Sequence, residues 1–142
     1  MNTRVIPTYV HAMGDYLTST TAPMAARRLG VTPATRHIVD GVAAVAGVQS
    51  LMTDYEGGAV PMVPMRAHLA ADMALGVGLL STAAMMRHAP ARDRQLLAGL
   101  GAFSLVYALL TQPDRSRVPE FGDVLDDERF EQHGPAYAGF AD

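Results

Sequence analysis

Residues 6–15 read IPTYVHAMGD and residues 63–72 read VPMRAHLAAD. Each stretch carries a β-branched residue and then proline, with histidine four positions after the proline and aspartate four positions after the histidine. The matching residues lie 57 positions apart, and LMT at 51–53 matches LLT at 109–111 with an offset of 58. Repetition at this scale predicts one helix pair used twice, each copy covering the apolar face of the other. The copies extend over about 5–54 and 62–111.

The remaining sequence favours helices over strands. Apolar residues are concentrated in four segments, at roughly 8–26, 37–53, 64–86 and 95–111. Glycine, proline and charged residues lie between these segments, as expected of helix-breaking connections, and no segment shows strand-like alternation. The sequence therefore predicts an all-α, four-helix, up-down-up-down bundle over 1–111. Residues 112–142 form a separate acidic tail with 3 Arg against 8 Asp and Glu.

The composition indicates that this bundle lies in a lipid bilayer. Charged residues make up 18% of the chain, below the roughly 25% usual for soluble domains. No charge occurs between Gln95 and Pro113, and the segment 67–86 contains one aspartate. Helices that are apolar all round must lie in lipid or in a large core, so we predict a transmembrane bundle. A soluble helical bundle that forms oligomers is the alternative.

Arginine distribution indicates an orientation. Connections 1–2 and 3–4 carry six arginines, and the opposite side carries four: Arg27, Arg28, Arg36, Arg87, Arg92 and Arg94 against Arg4, Arg66, Arg115 and Arg117. Cytoplasmic loops are the more basic ones. We therefore predict location in a bacterial inner (cytoplasmic) membrane, with both termini on the outer side.

The repeated histidines and aspartates predict a polar layer at one end of the bundle. Residues four apart share a helix face, and both His-x-x-x-Asp motifs begin odd-numbered helices, where helices 2 and 4 end. The predicted layer contains His11, Asp15, His68, Asp72, Thr53 and Thr111. Pairing between helices is one interpretation, because unsatisfied polar groups are costly in lipid. The other is a ligand site, with a metal ion on the His and Asp side chains or a tetrapyrrole on His11 or His68.

These residues also carry a resemblance to a known family. The order IP…H…D, then LMTDYEGG, then VPM…HL…D over roughly 5–112 resembles bacterial four-helix membrane proteins of the SPW (Ser-Pro-Trp) repeat type. The Ser-Pro-Trp tripeptide itself is absent, and Ala22-Pro23-Met24 stands near its place in the first copy. The resemblance implies a four-span membrane fold and no particular activity.

The rest of the sequence favours an accessory role over catalysis. The chain has no Cys and no net positive charge, and no nucleophile–base motif or dinucleotide-binding motif can be argued. We therefore predict a non-enzymatic membrane subunit, without nucleic acid or a required cofactor, that packs against lipid and a larger membrane complex, respiratory or photosynthetic. Aromatic residues spaced through the tail would contact that partner: Phe121, Phe130, Tyr137 and Phe140.

Overall fold

A computed structural model describes residues 4–114 of the chain. The described part is all-helical, which confirms the predicted fold class of a four-helix bundle. The helices are α1 (Thr8–Arg28), α2 (Pro33–Met52), α3 (Met65–Met85) and α4 (Ala91–Leu110). The aromatic residues of the predicted tail contact, Phe121, Phe130, Tyr137 and Phe140, lie outside the described residues.

Two helices begin earlier than their apolar segments. Helix α2 begins at Pro33, and the hydroxyl of its N-cap, Thr32, accepts a hydrogen bond from the backbone N–H of Thr35. Proline at the first helical position after a threonine cap is a standard helix start. Helix α4 begins at Ala91 directly after Pro90. Both first turns are polar, so apolar content alone placed the starts several residues too late.

Matching backbone hydrogen bonds join the two halves where the odd helices begin. Ile6 donates to the carbonyl of Leu110 at 2.9 Å and accepts from Gln112 at 2.9 Å. At the equivalent place Val63 donates to the carbonyl of Met52 at 2.8 Å and accepts from Asp54 at 2.8 Å. The beginnings of α1 and α3 are thereby held beside the ends of α4 and α2.

The helices pack more closely within the pairs α1–α2 and α3–α4 than between them. Within the second pair, a Cβ on Gly76 would lie 2.8 Å from the carbonyl oxygen of Gly101, so only glycine permits this approach. Buried apolar side chains form one cluster near the connections 1–2 and 3–4 and another at the opposite end. Bundle packing is therefore concentrated at the two ends.

A buried carboxylate joins the pairs at the end that holds the connections 1–2 and 3–4. Asp93, in the first turn of α4, accepts hydrogen bonds from the Thr35 hydroxyl at 2.7 Å, from the Thr32 backbone N–H at 3.0 Å and from the Thr32 hydroxyl. Burial opposes ionisation of Asp93, but these hydrogen bonds and the charge of Arg92 outweigh it and hold the pKa of the carboxyl below its ordinary value. Asp93 therefore caps α2 from α4.

Helix α3 alone among the four described helices is long and apolar enough to cross a membrane, with 21 residues and a mean hydropathy of 1.3. The uncharged run predicted to span at 95–113 is shorter as a helix, because α4 ends at Leu110 and begins with Arg92, Asp93 and Arg94. The expectation of four spans is thus supported for one helix and stays a prediction for the others.

Candidate functional site

Two histidines and two aspartates meet where α1 and α3 begin. His11 and Asp15 lie one turn apart on α1, and His68 and Asp72 lie one turn apart on α3. We call these four residues the His–Asp cluster. The histidine side chains are 1% exposed and the aspartate side chains 12% and 13% exposed, so the cluster is screened from solvent on nearly all sides.

The histidine Nε2 atoms face each other across the cluster. They are 3.2 Å apart, and Asp72 Oδ2 lies 3.1 Å from each of them. The two carboxylate oxygens of Asp15 are divided between the rings, with Oδ1 3.4 Å from His11 Nε2 and Oδ2 3.1 Å from His68 Nε2. Potential ligand atoms from all four residues therefore lie close together.

Threonine hydroxyls assign the tautomer of both histidines. Thr111 Oγ1 donates to the Tyr107 carbonyl at 2.7 Å, so it can only accept from His11 Nδ1, which is 2.7 Å away. Thr53 Oγ1 likewise donates to the Gln49 carbonyl at 2.7 Å and accepts from His68 Nδ1 at 2.7 Å. In a neutral imidazole one nitrogen carries the proton and the other has the lone pair. Each ring therefore has a proton on Nδ1, and a neutral ring has its lone pair on Nε2, inside the cluster.

Side chains from α2 and the connection after it orient the carboxylates. Tyr55 donates to Asp15 Oδ2 at 3.1 Å, and Gln49 Nε2 donates to Asp72 Oδ1 at 3.2 Å. The single hydroxyl proton of Ser50 is shared between the Ala46 carbonyl at 2.8 Å and Asp15 Oδ2 at 3.2 Å. Burial, and to a smaller extent the Asp15 carboxylate, raises the pKa of the Tyr55 phenol well above its ordinary range. Tyr55 therefore keeps its proton and acts as a hydrogen-bond donor.

Aromatic rings support the histidines from outside. Tyr107 stacks on His11 with the ring centroids 4.7 Å apart and 15° between the ring planes, and its hydroxyl donates to the Val10 carbonyl at 2.8 Å. Gly14 makes room for this ring, because a Cβ there would overlap the Tyr107 hydroxyl. His68 has Tyr55 at a centroid distance of 5.6 Å. Both imidazoles are thus held in fixed planes.

The cluster has the dimensions of a metal site. Ligand bonds of about 2.0–2.1 Å in a tetrahedral zinc site place neighbouring ligand atoms about 3.3 Å apart. The His–His and His–Asp separations are 3.1 to 3.4 Å, with a different Asp15 oxygen near each histidine, and one ligand atom from each of the four residues lies within 4.8 Å of the others. These four residues are therefore close enough to hold one ion. The threonines, Gln49, Ser50 and Tyr55 provide the outer hydrogen bonds that orient metal ligands.

The structure brings together all six residues of the predicted polar layer: His11, Asp15, His68, Asp72, Thr53 and Thr111. A tetrapyrrole on either histidine fits this arrangement poorly, because each Nε2 already has the other histidine and a carboxylate oxygen within 3.2 Å. Sequence reasoning missed the residues behind the ligands: Gln49, Ser50, Tyr55 and Tyr107. The repeat offset of 58 relates Gln49 to Tyr107 and was the available signal for those two residues.

Comparison with family models, curated proteins and solved structures finds no match for this chain. The resemblance to Ser-Pro-Trp repeat proteins therefore stays a prediction.

Proposed function

We propose that this chain is a four-helix membrane protein that binds one divalent transition-metal ion at the His–Asp cluster. The observation that carries the proposal is the pair of facing Nε2 atoms, 3.2 Å apart and flanked by two carboxylates. Lone pairs on these nitrogens and the carboxylates repel one another unless a cation or a proton lies between them. A single ion would satisfy all four side chains.

Charge balance supports a divalent ion. Two neutral imidazoles and two carboxylates have a charge of −2, which a divalent cation neutralises. Neutralisation matters here because an uncompensated charge in a buried, apolar environment is strongly unfavourable. Mixed imidazole and carboxylate ligands suit zinc, iron and manganese. The proposal concerns binding and includes no catalytic step.

Structural pairing is the competing interpretation of the cluster. It requires a proton on at least one Nε2, donated to the carboxylates of Asp15 and Asp72 or to the other Nε2. Protons on both Nε2 atoms would bring two N–H groups toward each other across 3.2 Å, whereas one metal ion would serve both rings at once. The geometry supports the ion over protonation of both rings, and metal analysis distinguishes the ion from a single proton.

The test is metal analysis of the purified protein in mild detergent. Elemental mass spectrometry should find about one divalent ion per chain, and His68→Ala or Asp72→Asn should lose it. His37→Ala is the matched control, because His37 is an exposed histidine of α2 outside the cluster. A wild-type protein that stays metal-free after incubation with zinc, iron and manganese, while folded, would support structural pairing instead. An absorbance spectrum of the same sample tests for a tetrapyrrole.

A second candidate function, an accessory subunit of a larger membrane complex, is supported by exposed apolar side chains. Large apolar residues on α1, α3 and α4 point away from the described bundle, among them Met13, Leu17, Val77, Met85, Val106 and Leu109. Such surfaces suit lipid or a neighbouring membrane subunit.

Native extraction tests the accessory role. Membrane fractionation comes first, because recovery in the soluble fraction would favour the soluble oligomeric bundle. Extraction in mild detergent followed by mass spectrometry of co-migrating chains then tests for the complex. If the chain is an accessory subunit as predicted, subunits of a respiratory or photosynthetic complex should migrate with it. A chain that migrates alone would contradict the accessory role and leave the metal proposal intact.

A further inference from the structure

A cavity lies between the two helix pairs, beside the His–Asp cluster. Its volume is about 70 Å³, and all four helices contribute to its walls. The walls are mainly apolar and include Val39, Val42, Ala43, Leu75, Leu79 and Leu100. The cavity occupies the middle of the bundle, where packing between the pairs is loosest.

One end of the cavity is polar, and it is formed by the cluster itself. Asp15 and Asp72 line the cavity, whereas His11 and His68 do not. Each aspartate lies one turn further into its helix than its histidine, so the carboxylates face the middle of the bundle. Ser104 and Tyr107 lie at the same end. An ion in the cluster would therefore have its histidines on the far side and the cavity on the carboxylate side.

The dimensions of the cavity limit what it can hold. A cavity of about 150 Å³ lined by apolar side chains binds benzene, so about half that volume suits a molecule of a few heavy atoms. Apolar walls disfavour an ion, because nothing along them replaces its hydration. A water molecule needs two to four polar partners, which are present near the carboxylates, where Thr18, Ser19 and Ser104 also line the cavity. A small neutral molecule fits the remaining space best.

We propose that the cavity holds a neutral diatomic molecule of the dioxygen class, bound to the metal at a coordination position on the carboxylate side. The inference rests on the proposed metal site. Non-haem iron(II) sites with two histidines, a carboxylate and open positions bind such molecules, and the two histidines and two aspartates contain that set. The cavity is what would distinguish this site from a closed structural one, in which the protein occupies every position.

Nitric oxide is the probe, with the protein loaded anaerobically with iron(II). We expect the electron paramagnetic resonance signal of a high-spin iron–nitrosyl complex in the wild-type chain. Ala43→Leu adds three carbon atoms to the cavity wall and should abolish most of that signal while the iron content is unchanged. Ala44→Leu is the matched control, because Ala44 is the next residue of α2 and is exposed. Ala43→Val fills less of the cavity, serves if the leucine variant fails to fold, and should give a smaller loss.

Iron content and the nitrosyl signal separate the two proposals. A wild-type chain that holds iron but gives no nitrosyl signal would overturn the cavity inference and leave the metal site standing. An equal signal in wild type and the folded Ala43→Leu variant would overturn it as well. A chain that takes up no iron, zinc or manganese would overturn the metal site and the inference together.

Discussion

Replacing Thr111 by valine tests the tautomer assignment on which the metal site depends. Thr111 is fully buried, and its hydroxyl is the hydrogen-bond partner of His11 Nδ1, at 2.7 Å. Valine has nearly the same shape as threonine and lacks the hydroxyl. The substitution therefore removes the hydrogen bonds with His11 Nδ1 and the Tyr107 carbonyl and leaves the packing of the helix end almost unchanged.

The expected loss follows from what happens to the imidazole proton. With no acceptor, a buried Nδ1–H costs about 1–3 kcal/mol. The ring can avoid this cost by moving the proton to Nε2, where it occupies the lone pair that would bind the ion. Loss of a partner that orients a metal ligand typically lowers metal affinity 10–100-fold, which corresponds to about 1.4–2.8 kcal/mol. We expect the dissociation constant of the Thr111→Val variant to rise within that range.

The assay is competition for zinc against a chromophoric chelator in detergent. Thr53→Val should weaken binding to a similar extent through His68, and Thr111→Ser should restore it, since serine keeps the hydroxyl. Thr82→Val is the matched control: the Thr82 hydroxyl donates to the Gly78 carbonyl at 2.8 Å, one turn back, as the Thr111 hydroxyl does to the carbonyl of Tyr107, but no histidine lies beside it.

Two results would refute the reasoning. Wild-type affinity in a folded Thr111→Val variant would mean that the threonine does not set the histidine tautomer. An equal loss in Thr82→Val would assign the effect to the helix and not to the imidazole.

Three further predictions concern stability. Asp93→Asn should lower the free energy of unfolding by about 1–3 kcal/mol, because weaker neutral hydrogen bonds replace the charge-assisted ones that Asp93 Oδ2 accepts. Asn at the partly exposed Asp40 should cost no more than about 1 kcal/mol. Since folding lowers the pKa of Asp93, its contribution should be full above the ordinary value of 3.8 and fall as the pH drops further, which denaturant titrations at several pH values will check. Gly101→Ala should destabilise the bundle by about 1–3 kcal/mol, since its Cβ would meet the Gly76 carbonyl oxygen at 2.7 Å. A Cβ at Gly99 would meet nothing within 4 Å, so Gly99→Ala should not destabilise it. Equal melting temperatures for the two variants would contradict this expectation. Chelation of the bound ion should lower the free energy of unfolding by about 2.7 kcal/mol, relative to protein at a free-metal concentration 100 times the dissociation constant. Thermal unfolding measures the change. An unchanged melting curve would contradict a metal site in the folded state.

The meeting of the six polar residues was predictable because it follows from spacing alone. Histidine and aspartate four residues apart must share a helix face, and up-down connectivity brings the beginnings of α1 and α3 to the ends of α2 and α4. No other information was needed to place Thr53 and Thr111 beside the histidines. The role of the cluster was not predictable, because pairing and metal binding require the same residue types.

The partners of the carboxylates could not be found from sequence. Tyr55 reaches Asp15 because the connection after α2 folds back over the beginning of α1, where the Tyr16 hydroxyl donates to the Gly57 carbonyl at 2.6 Å. The connection after α2 is irregular, so no periodic sequence pattern predicts its course. The predicted start of α4 was wrong for a related reason. Asp93 belongs to a polar first turn, and its hydrogen-bond partners, Thr32 and Thr35, lie far away in the chain.

The sequence by itself determined four helices, their alternating direction and the end of the bundle at which the polar residues gather, because each of these depends on local propensity and on spacing along one helix. Only the tertiary structure decided the distances among the ligand atoms, the histidine tautomers and the cavity beside the carboxylates. Those properties depend on how side chains from different helices approach one another. That approach is set by close contacts between helices, such as Gly76 against Gly101. Residue spacing along a single helix carries no information about such contacts.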